Sequence, residues 1–158
     1  MGTQEHPDPS AAAAAREDQE DIEKLACLDE ALDWARQRRS LGQSLIAHQV
    51  VRHTLVDMQM RIASTQAWVD AVSARLDAGD EHAGGELTAR WVADVCLLEN
   101  HATQTMQFCA DQAVQILGGM GFMRGTRSER IYREVKVMMI GGGAQELMKE
   151  LAARQLGW

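Results

Sequence analysis

A chain of 158 residues, 46% of them hydrophobic, has the length and apolar content for one globular domain with its own core. Its formal net charge of −7 argues against general nucleic-acid binding, and no apolar run approaches the roughly 20 residues that span a bilayer. Three cysteines, Cys27, Cys96 and Cys109, include no CxxC pair, and no basic leader precedes an apolar stretch, so we expect buried thiols in a reducing, cytoplasmic setting.

Residues 1–15 are expected to be a disordered tail. Pro7 and Pro9 are the only prolines, and an alanine run follows them. A helical bundle is expected over 16–158. Its first helix is predicted from about Arg16 to Arg39, with an apolar face of Ile22, Leu25, Leu28, Leu32 and Ala35. Acidic residues lie early and arginines late, as the helix dipole favours. Gly42 reads as the stop.

The second helix is predicted from about Ala47 to Ala78. Val51, Leu55, Met58, Ile62, Thr65, Val69, Val72 and Leu76 repeat at alternating steps of four and three, the stripe that a bundle requires. Gly79 stops it, and Asp80 to Gly85 reads as a polar loop. A third helix is predicted from Glu86 to Leu117, with a stripe of Val95, Leu98, Ala102, Thr105, Cys109, Ala113 and Ile116. Its small members let a neighbouring helix come close. After Phe122, Arg124-Gly125-Thr126 forms a turn. Thr126 or Ser128 then caps a helix running to about Met139. The last helix starts after Gly141-Gly142-Gly143 and ends near Gln155. No segment alternates as a strand does. The expected fold is all-α: an up-and-down four-helix-type bundle of three long antiparallel helices and two shorter C-terminal ones.

Metal chemistry finds no support in the spacing. His48 and His53 are five apart, as are Cys96 and His101, which puts neither pair on one helix face. There is no nucleophile elbow. Gly119-x-Gly121-x-x-Arg124 lacks the third glycine of a dinucleotide fingerprint and follows a helix.

The informative stretch is Gln115–Glu146. Two glycine clusters, Gly118-Gly119-x-Gly121 and Gly141-Gly142-Gly143, bracket a basic helical segment. Glycine lets a backbone or ligand approach closely, although both clusters also read as simple helix stops. Three blocks in order resemble the C-terminal domain of the flavin-dependent acyl-CoA dehydrogenases. These are Gln115-Ile116-Leu117-Gly118-Gly119-Met120-Gly121-Phe122, Glu129-Arg130-Ile131-Tyr132-Arg133-Glu134, and Ile140-Gly141-Gly142-Gly143-Ala144-Gln145-Glu146. Upstream, Arg38-Arg39-Ser40-Leu41-Gly42 followed by His48-Gln49 resembles a further block. The resemblance covers roughly residues 30 to 156, and the family's C-terminal domain has the bundle architecture read above.

The resemblance implies FAD, shared across a subunit interface. It places Arg38 on the FAD pyrophosphate of a neighbouring subunit, where a guanidinium pairs two oxygens at once. It puts Ser40, His48 and Gln49 around the flavin, Gln115 on the adenine half, and the backbone at Gly118 and Gly119 close to it. Leu41 stands where the family usually has phenylalanine. The family's base is a glutamate, which in its commonest pattern falls at Gly142, and glycine cannot abstract a proton. Other members carry it on the first helix, but Glu17, Asp18 and Glu20 are out of register. Glu146 matches a position that is not the base and reads as a surface residue of the last helix's first turn. The family's other two domains are expected to be absent. The resemblance therefore implies a bundle that contributes FAD-contacting and subunit-interface surface and is inactive alone, so whether the chain is itself an enzyme stays open. The implied partner is a second copy or a full-length acyl-CoA dehydrogenase-like subunit. The alternative is a non-enzymatic helical oligomerisation module derived from that family.

Overall fold

The computed structural model describes residues 25–79, 82–83 and 86–158. The tail expected at 1–15, the first turns of the first helix with Ile22, and part of the 80–85 loop lie outside them. Helix α1 covers 25–37. A hairpin of β1 (Arg39–Ser40) and β2 (Gln43–Ser44) follows, then a 3₁₀ turn over Leu45–Ala47 and helix α2 (Gln49–Asp77). A second hairpin, β3 (His82–Ala83) and β4 (Glu86–Leu87), leads into α3 (Ala89–Leu117). The chain ends with the one-turn α4 (Gly119–Phe122), α5 (Arg127–Gly141) and α6 (Gln145–Leu156). The fold is all-α, as expected. The two hairpins and α4 were not legible as periodic patterns, being only two to four residues each. Among the described residues no helix is long and apolar enough to cross a membrane.

Helix α3 is the hub, packed by α2, α5 and α6. The stripe read on α2 is the buried one: Leu55, Met58, Ile62, Thr65, Val69 and Val72 are buried. Val51 and Leu76, at its ends, are half-buried. Each apolar member contributes about 1.5–3 kcal/mol before entropy is subtracted. Thr65 belongs to the stripe because its hydroxyl lies 3.1 Å from that of Thr105 on α3, and both are fully buried. The pairing satisfies two groups that would otherwise be costly to bury. On α3 the predicted stripe is one face of two. Ala93, Cys96, Asn100, Thr103 and Ala110 are buried as well, because α3 has neighbours on several sides.

The face predicted for α1 needs correction. Leu28 and Ala35 are buried, but Leu25 is 43% exposed and Leu32 only half-buried. Cys27 and Ala31 complete the buried face at 0% exposure. They pack in one cluster with Ala110 and Ala113 of α3. Small side chains on both helices permit close approach, and close packing outweighs the larger apolar area of leucine.

Polar ties fix the helices against one another. Asp94 on α3 is buried and accepts from Arg75 of α2 and from Arg90 one turn back. Glu30 of α1 reaches the start of α5: its Oε1 accepts from Arg127 N (3.0 Å), and its Oε2 accepts from Ser128 N (2.8 Å) and Ser128 Oγ (2.7 Å). Thr126 is the N-cap of α5 and accepts from Glu129 N at 3.2 Å. The sequence left Thr126 and Ser128 as alternatives. Here Ser128 donates to a partner 98 residues away instead of capping.

On α5, Arg133 hydrogen-bonds Glu129 and holds its carboxyl below the ordinary 4.5; burial opposes this more weakly. A depressed folded value means the stabilisation is complete above about pH 4.5 and is lost as pH falls through the depressed value. Glu129→Gln should therefore flatten the acid limb of a plot of Tm against pH. An unchanged acid limb would show that the pair does not set acid stability.

Candidate functional site

The hairpin after α1 is built by a two-residue turn. Arg39 pairs with Ser44 and Ser40 with Gln43, so Leu41 and Gly42 form the loop. Their φ values are +51° and +83°, the left-handed pair that a tight hairpin turn requires. Gly42 is thus not a helix stop; α1 has already ended at residue 37. Leucine at positive φ is strained, and here its side chain is 91% exposed.

This turn sorts the three arginines. Arg36 lies against Asp33 at 3.8 Å. Arg39 Nη2 donates to Gly42 O at 2.6 Å and closes the loop. Arg38 makes no side-chain hydrogen bond or ion pair among the described residues, yet its backbone is held on both sides. Its N donates to Trp34 O and its O accepts from Leu45 N, both at 2.8 Å.

At the far end of α3, Gly118 has φ +60° and ψ −129°, a conformation open to glycine and strained for other residues. Its N donates to Val114 O and its O accepts from Gly121 N at 2.9 Å, which turns the chain directly into α4. The two turns face each other. Trp34, Arg38, Ser40, Leu45, Ile116, Leu117, Gly118, Gly119, Met120 and Met123 line one open depression of about 650 Å³. Its wall is largely apolar, with the Arg38 guanidinium as its charged group. An aromatic, aliphatic side chains, bare glycine backbone and one cation are a fit for a flat heteroaromatic ligand carrying phosphate.

Of the residues singled out from the sequence, Arg38, Ser40, Gly118 and Gly119 come together here. His48, Gln49 and Gln115 are not among the lining residues. His48 is spent on the hairpin, its Nε2 3.3 Å from Ser40 O and its Nδ1 3.2 Å from Gln43 Nε2. Gln49 Nε2 sits 3.3 Å from His53 Nε2. Gln115 is exposed on the last turn of α3. Sequence reasoning missed Trp34, Met120 and Met123. Trp34 could have been found: four residues before Arg38, it shares that residue's side of the chain's path out of α1.

The second glycine cluster ends α5. Gly142 is its C-cap, with φ −80° and ψ −10°. A Cβ built there would overlap Oε1 of Glu99, which reaches across from α3. Burial pushes the neighbouring Cys96 thiol up, and the Glu99 charge adds to the effect. Cys96 is therefore an inert, protonated thiol. Glu146 is exposed in the first turn of α6.

Comparison with known proteins agrees with this architecture. The sequence profile of the acyl-CoA dehydrogenase C-terminal domain matches residues 25–157. The long-chain specific mitochondrial acyl-CoA dehydrogenase of Rattus norvegicus is 31% identical over 144 residues, covering 86% of this chain and 30% of that protein. The mitochondrial isovaleryl-CoA dehydrogenase of Oryza sativa is 31% identical over 132 residues, covering 83% and 30%. The crystal structure of an acyl-CoA dehydrogenase from Geobacillus kaustophilus superposes with a TM-score of 0.82 at 25% identity, covering 93% of this chain and 36% of that one. Thus the chain spans about a third of the length of the relatives it matches. From the fold, the glycine turns and these matches together, the chain belongs to the acyl-CoA dehydrogenase family, as its C-terminal helical domain.

Proposed function

We propose that this chain forms one wall of the flavin site of an acyl-CoA oxidoreductase and works only in a complex. The observation that carries this reading is the convergence of Arg38, Ser40, Gly118 and Gly119 on one depression. FAD is the family's cofactor. Here the Arg38 guanidinium would pair its pyrophosphate, and the bare backbone at Gly118 and Gly119 would let the adenine half approach. His48 would act indirectly, by holding Ser40 and the hairpin in place, while Gln49 and Gln115 would meet the ligand only from outside the depression. Bound flavin supplies a two-electron oxidant.

The depression is open, and a cofactor site buries most of its ligand, so another subunit must cover it. Exposed Leu41, Met120, Phe122 and Met123 sit on and beside its rim. This apolar surface supports contact with a second copy or a full-length acyl-CoA dehydrogenase-like subunit. It equally favours the second reading, an oligomerisation module without flavin chemistry. The two separate on colour: the flavin reading requires FAD in the purified complex, measured by visible absorbance, and the module reading requires none. The buried thiols of Cys27, Cys96 and Cys109 support a reducing, cytoplasmic setting.

The chain alone is expected not to dehydrogenate acyl-CoAs, since position 142 is glycine and a single bundle cannot enclose the substrate. The check is purified chain with added FAD, a dye acceptor and acyl-CoAs of several lengths. Turnover above the dye background would overturn the expectation.

A further inference from the structure

We propose that Leu41 is a docking knob, held out by the strained turn of the first hairpin for an apolar socket on the flavin-carrying subunit that covers the depression. The inference rests on the flavin reading above for its partner and names the residue that would hold that partner.

Leu41 breaks a local rule. It is the first of the two residues in the β1–β2 turn, and both take positive φ. Asn-Gly and Asp-Gly suit such a turn, because asparagine and aspartate tolerate the left-handed region and leucine does not. Among the described residues Leu41 is the only non-glycine with positive φ. Strain of this kind persists where the surrounding structure or a function requires it.

Nothing within the chain offsets that strain through the side chain. A leucine kept for the core would be buried, but Leu41 is the most exposed large hydrophobic residue among those described. Closing the turn does not use its side chain either. The strands pair through backbone, and the loop is tied by Arg39 Nη2 donating to Gly42 O. A rule broken without a gain inside the fold marks a functional position.

The mount is rigid and stands at the site. Besides the Arg39 tie, His48 Nε2 lies 3.3 Å from Ser40 O, and Leu45 N donates to Arg38 O at 2.8 Å. A knob ordered in advance loses little freedom on docking, so more of its burial counts toward affinity. Arg38 and Ser40, just before it, line the depression, so a subunit covering the depression meets Leu41 at its edge. Exposed Met120, Phe122 and Met123 continue the apolar surface on the facing turn. A second copy would only supply the same wall again, whereas enclosing a flavin takes the further domains of a full-length subunit.

The test measures Tm of the full chain and Kd of its complex with a full-length acyl-CoA dehydrogenase subunit by sedimentation. Flavin per complex is read by absorbance at saturating subunit. Leu41→Asn should raise Tm by about 2–4 °C, since asparagine accepts the left-handed conformation. The same change should weaken the complex about tenfold or more. Leu41→Met keeps the apolar bulk and should retain most of the affinity. Flavin per complex should be equal in all three. A residue serving only the fold would not gain Tm while losing affinity. Unchanged Kd in Leu41→Asn, equal weakening by Leu41→Met, or a lowered Tm in Leu41→Asn would each overturn the proposal. Loss of flavin at unchanged Kd would place Leu41 on the cofactor and overturn it too, as would a wild-type chain that pairs only with itself. A colourless wild-type complex would overturn the flavin reading, while the Kd comparison would still decide the role of Leu41.

Discussion

Arg38→Ala should reduce FAD retention by the complex about ten- to a hundredfold. The estimate follows from removing a charge-assisted bidentate contact, about 1.5–3 kcal/mol. The structure makes Arg38 the arginine to change. Arg36 lies against Asp33, and Arg39 is consumed by the carbonyl of Gly42. Only Arg38 brings a guanidinium to the depression without an ion pair among the described residues. Arg38→Lys should restore part of the affinity, because an ammonium cannot match two phosphate oxygens in one plane. Helix content by circular dichroism should not change in either variant, since what the fold uses at this position is backbone: the bonds from N to Trp34 O and from Leu45 N to O. Equal flavin in all three proteins would reduce Arg38 to a solvated charge at a helix end, and no flavin in any of them would favour the oligomerisation reading.

Gly121→Ala should cost about 3 kcal/mol, near the upper end for overpacking, and lower Tm by about 6–12 °C. The three glycines of the first cluster do different work. A Cβ at Gly121 would lie 2.5 Å from Val114 O and 2.9 Å from Val114 Cα. Both are backbone atoms of α3, so neither can swing aside. Gly118 is required by its positive φ instead of by space. Gly119 meets nothing within 4 Å, so Gly119→Ala should leave Tm within about 1 °C while narrowing the wall of the depression. Thermal melts of the single variants distinguish these roles. Equal losses for Gly119→Ala and Gly121→Ala would contradict the packing account.

Several parts of this protein were determined by the sequence acting locally. The α2 stripe from Leu55 to Val72 is a run of residues on one helix, and helical spacing alone brings them to one side. The same holds for a cap at Thr126 or Ser128 on α5 and for the glycine blocks that carry the family resemblance, because each acts within a few residues of itself; that Thr126 is the cap was decided by Glu30 engaging Ser128. Tertiary structure decided what depends on two distant segments meeting. Which face of α1 is buried was set by Cys27 and Ala31 fitting against Ala110 and Ala113, a choice that hydrophobicity along α1 cannot express. The Glu30 cap on α5 joins residues 97 and 98 apart. The depression exists only because a hairpin after α1 faces a glycine turn after α3. Gly142 reads in sequence as an absence. Only the approach of α3 shows that Glu99 occupies the space a side chain there would take, because a contact between helices depends on the packing of both partners, and neither stretch of chain encodes it alone.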